Sequence, residues 1–182
     1  RRTRVSDIAR RAGVAYGLIY HYFDSKDAVL NAVFETNWSV FLKVLRDLRD
    51  AEAPRHALEK LRSVADLLLD ALEVAPAIMQ VVIQEVSRSD RFVEVQKLDA
   101  FREGFELVRG MIADGQARGE LRGDIDPMVA AHAFFGALET VCTGVMLEQL
   151  AAGPDQAERT KRTVHALLLD GLRPELAAPE TR

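Results

Sequence analysis

The chain has 182 residues, of which 48% are hydrophobic and 29% charged, the composition of a globular protein with room for one large core or two modules. A single cysteine, Cys142, excludes an internal disulfide framework and a cysteine-rich zinc site, and it reads as a small apolar core residue in a reducing cytoplasm. The net charge of −4 is uneven: residues 1–26 hold six Lys/Arg against two acids, while the remainder holds 18 bases against 26 acids, so one basic end is set to meet a polyanion that the acidic body repels.

Spacings of three and four between apolar residues recur from end to end, and strand signals are nearly absent. The chain therefore reads as all-α. Val5, Ile8, Ala9 and Ala12 form the stripe of a first helix, which Gly13 closes in the position suited to a left-handed cap. A second short helix is expected over 15–23, and a third, capped by Asp24 or Ser25, to about residue 49. Pro54 marks a further start, with an apolar face running through Leu58, Leu61, Val64, Ala65, Leu68 and Leu72 until Pro76 breaks it. A short segment over 77–87 precedes a long helix over 90–118 that contains Gly104, Gly110 and Gly115. The stretch RGELRGDID is the clearest loop. Asp126-Pro127 then pairs a capping carboxylate with a first-turn proline and starts a helix to about residue 150, after which AAGPD turns the chain into a last helix. Gly171 and Pro174 stop that helix near residue 172, and the Pro/Ala/Glu tail is expected to be mobile. No apolar run in this reading reaches the length of a bilayer span and no signal sequence opens the chain, so no membrane partner is expected and the localisation is cytoplasmic.

The first two helices and their glycine turn make a helix-turn-helix, whose second helix enters the major groove of duplex DNA. Gly17 permits close approach, and Tyr16 and Leu18 are placed to touch base edges or a thymine methyl. Tyr20 and His21 lie where their donors would meet phosphate oxygens. Lys26 adds its charge to the N-terminus of the third helix, and Thr3 serves in the same way ahead of the first. Tyr22 and Phe23 read as core residues that seat this small domain on the long helix.

Further along, Gly136, Thr140 and Gly144 form a strip of small groups at a spacing of four, and the last helix offers Val164, Leu167, Leu168 and Leu172. Paired about a twofold axis, these two helices would make a homodimer interface. A ligand cavity is expected among the middle helices. Its candidate lining is Trp38, Phe41, Met79, Ile83, Phe101 and Phe105, with Leu68, Val82, Phe92, Val108 and Met111 as further candidates. Gln80, Gln84, His132, Glu139 and Thr143 are polar groups on otherwise apolar helices, and each needs a partner if buried.

The residues of RVSDIARRAGVAYGLIYHYFDSKDAVLNAVF go further than periodicity. Ile8-Ala9, Ala12-Gly13-Val14, Gly17, Tyr20-His21-Tyr22-Phe23, Ser25-Lys26 and Leu30 resemble the DNA-binding region of TetR-family transcriptional repressors. The resemblance implies a DNA-binding domain, here over 1–45, and a helical ligand-binding and dimerisation domain over 46–182. It also implies a helix before Arg1 that this sequence lacks, and release of DNA when ligand binds. Ala15 departs from the serine common in the family, which removes a hydroxyl able to cap the recognition helix. IQEVSRSD with the later FFGALETV resembles the branch that represses fatty-acid degradation, which implies a long-chain acyl-CoA effector. Its acyl chain would lie among the cavity residues, and its phosphates would meet Arg88, Arg91 and Lys97.

An enzyme is disfavoured. His21, His56, His132 and His165 are scattered, no nucleophile and base pair up, and no spacing calls for a cofactor or a metal. The alternative is a helical adaptor or small-molecule-binding protein that does not act on DNA.

Overall fold

The computed structural model describes residues 4–50, 56–89 and 95–174, and every regular element among them is helical. Thr3, Arg91, Phe92 and the tail beyond residue 174 lie outside them. Helix α1 (Val5–Ala12) ends at Gly13, whose φ of 68° is the left-handed cap expected, with the Val14 N–H returning to the Ala9 carbonyl at 3.1 Å. After the two-turn α2 (Tyr16–Tyr22), Val5, Ala9 and Ile19 form a small core with Ile8, Phe23 and Val29. Val29 belongs to α3 (Lys26–Asp50), so the small domain is seated on the long helix. Ser25, not Asp24, caps α3, its Oγ accepting the Ala28 N–H at 3.0 Å.

Helix α4 (Ala57–Val74) begins later than Pro54 suggests. Its first N–H groups are met by side chains: His56 accepts from Leu58 at 3.4 Å, and Glu120 accepts from Ala57 at 2.6 Å. The Arg118 guanidinium and then that Ala57 N–H hold the Glu120 carboxyl down at about 2. Pro76 does more than end α4. It is the first residue of α5 (Pro76–Ser89), where its missing N–H is harmless.

Gly104, Gly110 and Gly115 sit within α6 (Val95–Ala117) without breaking it, as the single long helix read from the sequence requires. Gly115 is there for space, since a Cβ would sit 2.5 Å from the Ala57 Cβ and 2.9 Å from Leu121. Helix α7 (Pro127–Met146) starts as expected, with Asp126 accepting from Met128 and Val129 at 2.8 and 2.9 Å. It stops short of residue 150 because the chain turns at Glu148 (φ 57°) and folds Leu150 back over Gly144.

The expectation of no span-length apolar run is corrected here. Helix α7 is long and apolar enough to cross a membrane, with a mean hydropathy of 1.4. The polar residues His132, Glu139 and Thr140 interrupt the sequence without lowering that average enough. Only one side of α7 is covered: Ala131, Phe134, Leu138 and Cys142 are buried in the main core, while Val129 is 67% exposed.

Helix α8 (Pro154–Val164) continues through a π-helical turn (His165–Leu169) and a 3-10 turn (Asp170–Leu172). It is clamped to α4 by Lys161 with Asp70, and by His165 Nε2, which lies 2.8 Å from Asp66 Oδ1. The main core unites α3 to α8 around Leu45, Leu61, Val64, Val108, Ile112 and Ala131.

Gly115→Ala is expected to lower stability by about 1–3 kcal/mol through overpacking against Ala57. Gly110→Ala, in the same helix with no atom within 4 Å of the added Cβ, should be neutral or stabilising by up to ~1 kcal/mol. Urea unfolding of both variants checks this; equal effects would contradict the close approach.

Candidate nucleic-acid interface and ligand cavity

Three consequences of the local sequence shape the basic end. Ala15 has no side-chain hydroxyl and α2 starts without a side-chain cap, as its identity implied. Ile19 turns inward and is 8% exposed, which rotates Tyr16 (53%), Leu18 (45%) and Tyr20 (44%) outward. Gly17 lies on that outer surface, with nothing within 4 Å of an added Cβ, so a flat surface can come close to the backbone there.

The Tyr16 hydroxyl donates to Tyr20 at 3.4 Å and the rings meet edge to face, 5.1 Å apart. His21 is also exposed, and its ring meets that of Tyr22 at 85°. Tyr22 overturns the expectation of a core residue: it is 71% exposed, and Phe23 alone goes inward. The reason is the end of the helix. Phe23 is extended (φ −137°, ψ 120°), which swings it beneath α2 and leaves Tyr22 on the outer face. Lys26 is the first residue of α3, half-buried beside exposed N–H groups.

A cavity of about 270 Å³ opens among the middle helices. Helix α3 supplies Trp38 and Phe41, α4 supplies Leu68, and α5 supplies Met79, Val82 and Ile83. Phe101, Gly104 and Phe105 of α6 face them. From α7 come His132 and Glu139, as expected from the sequence, together with Phe135, Gly136, Leu138 and Cys142. Of these, Gly104, Phe135, Leu138 and Cys142 were not read from the sequence as lining, and Gly136 was read only as part of the dimer strip, although His132, Phe135, Glu139 and Cys142 follow the three-to-four spacing of one helix face. Val108 and Met111 belong to the close-packed core instead. Gln80 and Gln84 are exposed and point away from the cavity. Arg88 is on α5, the helix that brings Met79 and Ile83.

The lining is apolar with two exceptions. His132 donates from Nδ1 to the Met128 carbonyl at 2.9 Å, and its ring stacks on Phe105 with centroids 4.3 Å apart. Glu139 is half-buried on the same side of α7. Burial pushes the Cys142 thiol up to about 12, so it stays protonated and behaves as an apolar group. At the far wall Trp38 stacks on Phe34 at 5.5 Å and meets Phe101 at 4.8 Å, while its indole N–H donates to the Ala100 carbonyl at 3.1 Å.

The small-residue strip divides. Gly136 and Thr140 are exposed, but Gly144 is covered by Leu150 of its own chain, 3.0 Å from an added Cβ. On the last helix Leu167 is 73% exposed, whereas Val164 is buried and Leu168 and Leu172 pack on the core.

Residues 1–33 match the family model described as bacterial regulatory proteins, tetR family, and residues 34–171 match the model of the YsiA-like protein, C-terminal region. The fatty acid metabolism regulator protein of Bacillus subtilis is 30% identical over 149 residues, spanning 81% of this chain and 75% of that protein. The HTH-type transcriptional repressor KstR2 of Rhodococcus jostii is 31% identical over 134 residues, 71% of this chain and 63% of its own length. Among solved structures, the fatty acid degradation regulator FadR from Bacillus halodurans has a TM-score of 0.74 at 27% identity, covering 93% of this chain and 89% of that one. FadR from Bacillus subtilis, in complex with stearoyl-CoA, has a TM-score of 0.69 at 25% identity, covering 94% and 89%.

Tyr16→Ala is expected to alter which operator is preferred, costing about 1–3 kcal/mol at one base position, whereas Lys26→Ala weakens all sequences alike and lowers the salt slope by about one. Binding titrations at several salt concentrations test both. A Lys26→Ala protein with unchanged affinity and slope would remove its phosphate role.

Proposed function

Because this chain belongs to the TetR family of bacterial regulatory proteins, we propose that it is a homodimeric cytoplasmic repressor that holds a near-palindromic DNA operator and lets it go when a fatty acyl-CoA enters the central cavity. The observation that carries the reading is the course of α3. It starts at Lys26, beside the outward face of α2, and its Trp38 and Phe41 line the cavity. One uninterrupted helix thus touches both places.

Thr3, Tyr16, Gly17, Leu18, Tyr20, His21 and Lys26 are assigned to the DNA, with the first turn of α2 on base edges and the remainder on phosphates. Tyr22, which the sequence placed inside, joins them on grounds of exposure. The dimer is assigned to the uncovered side of α7 around Gly136 and Thr140 and to Leu167, because a helix this apolar with one side exposed is stabilised by a second copy. Gly144 and Leu168, occupied within their own chain, contribute less than the sequence suggested.

An acyl-CoA fits the cavity's apolar lining, and the Bacillus subtilis relative favours it, since it is named a fatty acid metabolism regulator and FadR of that species was solved with stearoyl-CoA. In this reading the chain lies among Met79, Ile83, Phe101 and Phe105, with the phosphates toward Arg88 and Arg91. The effector acts by differential affinity for two spacings of the recognition helices, and carrying a 1:99 mixture to 99:1 takes about 5.5 kcal/mol.

Titrating the operator complex with acyl-CoAs is expected to release DNA, with free coenzyme A at least a hundredfold weaker, since about 0.8 kcal/mol is lost with each buried CH₂ removed. If free coenzyme A is as potent as its acyl esters, the effector assignment fails.

A further inference from the structure

The cavity has a size as well as a character, and the size sets a limit on what it can read. Resting on the acyl-CoA assignment above, we infer that the cavity measures a medium-length stretch of chain: potency rises with each methylene up to about eleven carbons and then stops rising. An apolar protein cavity of roughly 150 Å³ accommodates one benzene, or about 25 Å³ for each carbon atom. At that density the 270 Å³ here holds about eleven carbons.

The inner end has little room to give. Met79, Ile83, Leu138 and Cys142 are each 7% exposed or less, and packed interiors resist gradual deformation. The outer end is different. His132 lines the cavity yet is exposed, so it marks the mouth, one turn before the Gly136 assigned to the subunit contact. A chain that enters past His132 with its methyl end first fills the space against Met79 and Leu138. Further methylenes remain at the mouth, where they exchange one exposed surface for another and add nothing.

The test is release of a fluorescent operator by octanoyl-, decanoyl-, dodecanoyl-, palmitoyl- and stearoyl-CoA, each below its micelle-forming concentration. Within the cavity each added methylene is expected to raise potency about fourfold, followed by a plateau or a fall beyond dodecanoyl-CoA. Potency that keeps climbing at that rate to stearoyl-CoA overturns the limit while leaving the acyl-CoA effector in place. Release by none of the esters overturns both. Two variants move the limit in opposite directions. Met79→Ala enlarges the inner end and should carry the break to a longer chain, whereas Val82→Phe fills part of the lining and should bring it to a shorter one. A break that stays put in whichever of the two folds, judged by circular dichroism, contradicts the measuring role of the cavity; Val82, only half-buried, is the more tolerant site.

Discussion

The stacking of Trp38 between α3 and the start of the described part of α6 is the contact on which the rest depends. Phe34, Trp38, Phe41 and Phe101 form one aromatic cluster, with neighbouring centroids 4.8 to 5.5 Å apart, and the indole N–H is tied to the Ala100 carbonyl. Arg46 and Glu103 add an ion pair at 2.6 Å two turns further on. At 25 residues, α3 is a rod of about 37 Å. Held at its middle by packed rings, it cannot absorb a displacement locally. A ligand that separates Trp38 and Phe41 from Phe101 and Phe105 therefore moves the end that carries Lys26 and the small domain.

Helix α7 has a similar double duty in the proposed dimer. Its inward face is ordinary core, with Phe134 and Leu138 almost fully buried, and its adjoining face carries His132, Gly136 and Glu139 to the cavity. The side with Gly136 and Thr140 is left uncovered. In the proposed dimer the same helix would serve as cavity wall and subunit contact, which would account for a composition apolar enough to span a membrane in a chain whose family regulates transcription.

Local chemistry was the most legible part of this fold. Gly13, Ser25 and Asp126-Pro127 name their helix boundaries through backbone conformation and unpaired N–H groups, so α1, α3 and α7 could be placed from a few residues. Boundaries set by distant groups could not. Helix α4 is capped in part by Glu120, 63 positions away, and α7 ends where Leu150 folds onto Gly144. Cavity residues were legible by type and helix face, because large apolar groups recur on the inward sides of α3, α5 and α6. What periodicity lacks is the identity of the facing neighbour. Val108 and Met111 therefore fell into solid core while Phe135 and Leu138 came to line the space. Tyr22 was misplaced for a reason of one residue: α2 ends there, and the helical phase that would have carried it inward does not continue.

The central claim is that α3 converts occupancy of the cavity into a change in the spacing of two recognition helices. It is tested most directly by pulsed electron spin resonance on the dimer carrying a spin label at Arg11→Cys, an exposed position on α1, with the buried native Cys142 remaining unlabelled. With operator bound, the recognition helices should be set one helical turn of DNA apart, roughly 34–36 Å or a multiple of it, giving one narrow label-to-label distance distribution. Decanoyl-CoA should replace that distribution with another of different mean, and Trp38→Ala should weaken the replacement. An unchanged distance in a dimer that has released its DNA would contradict the account.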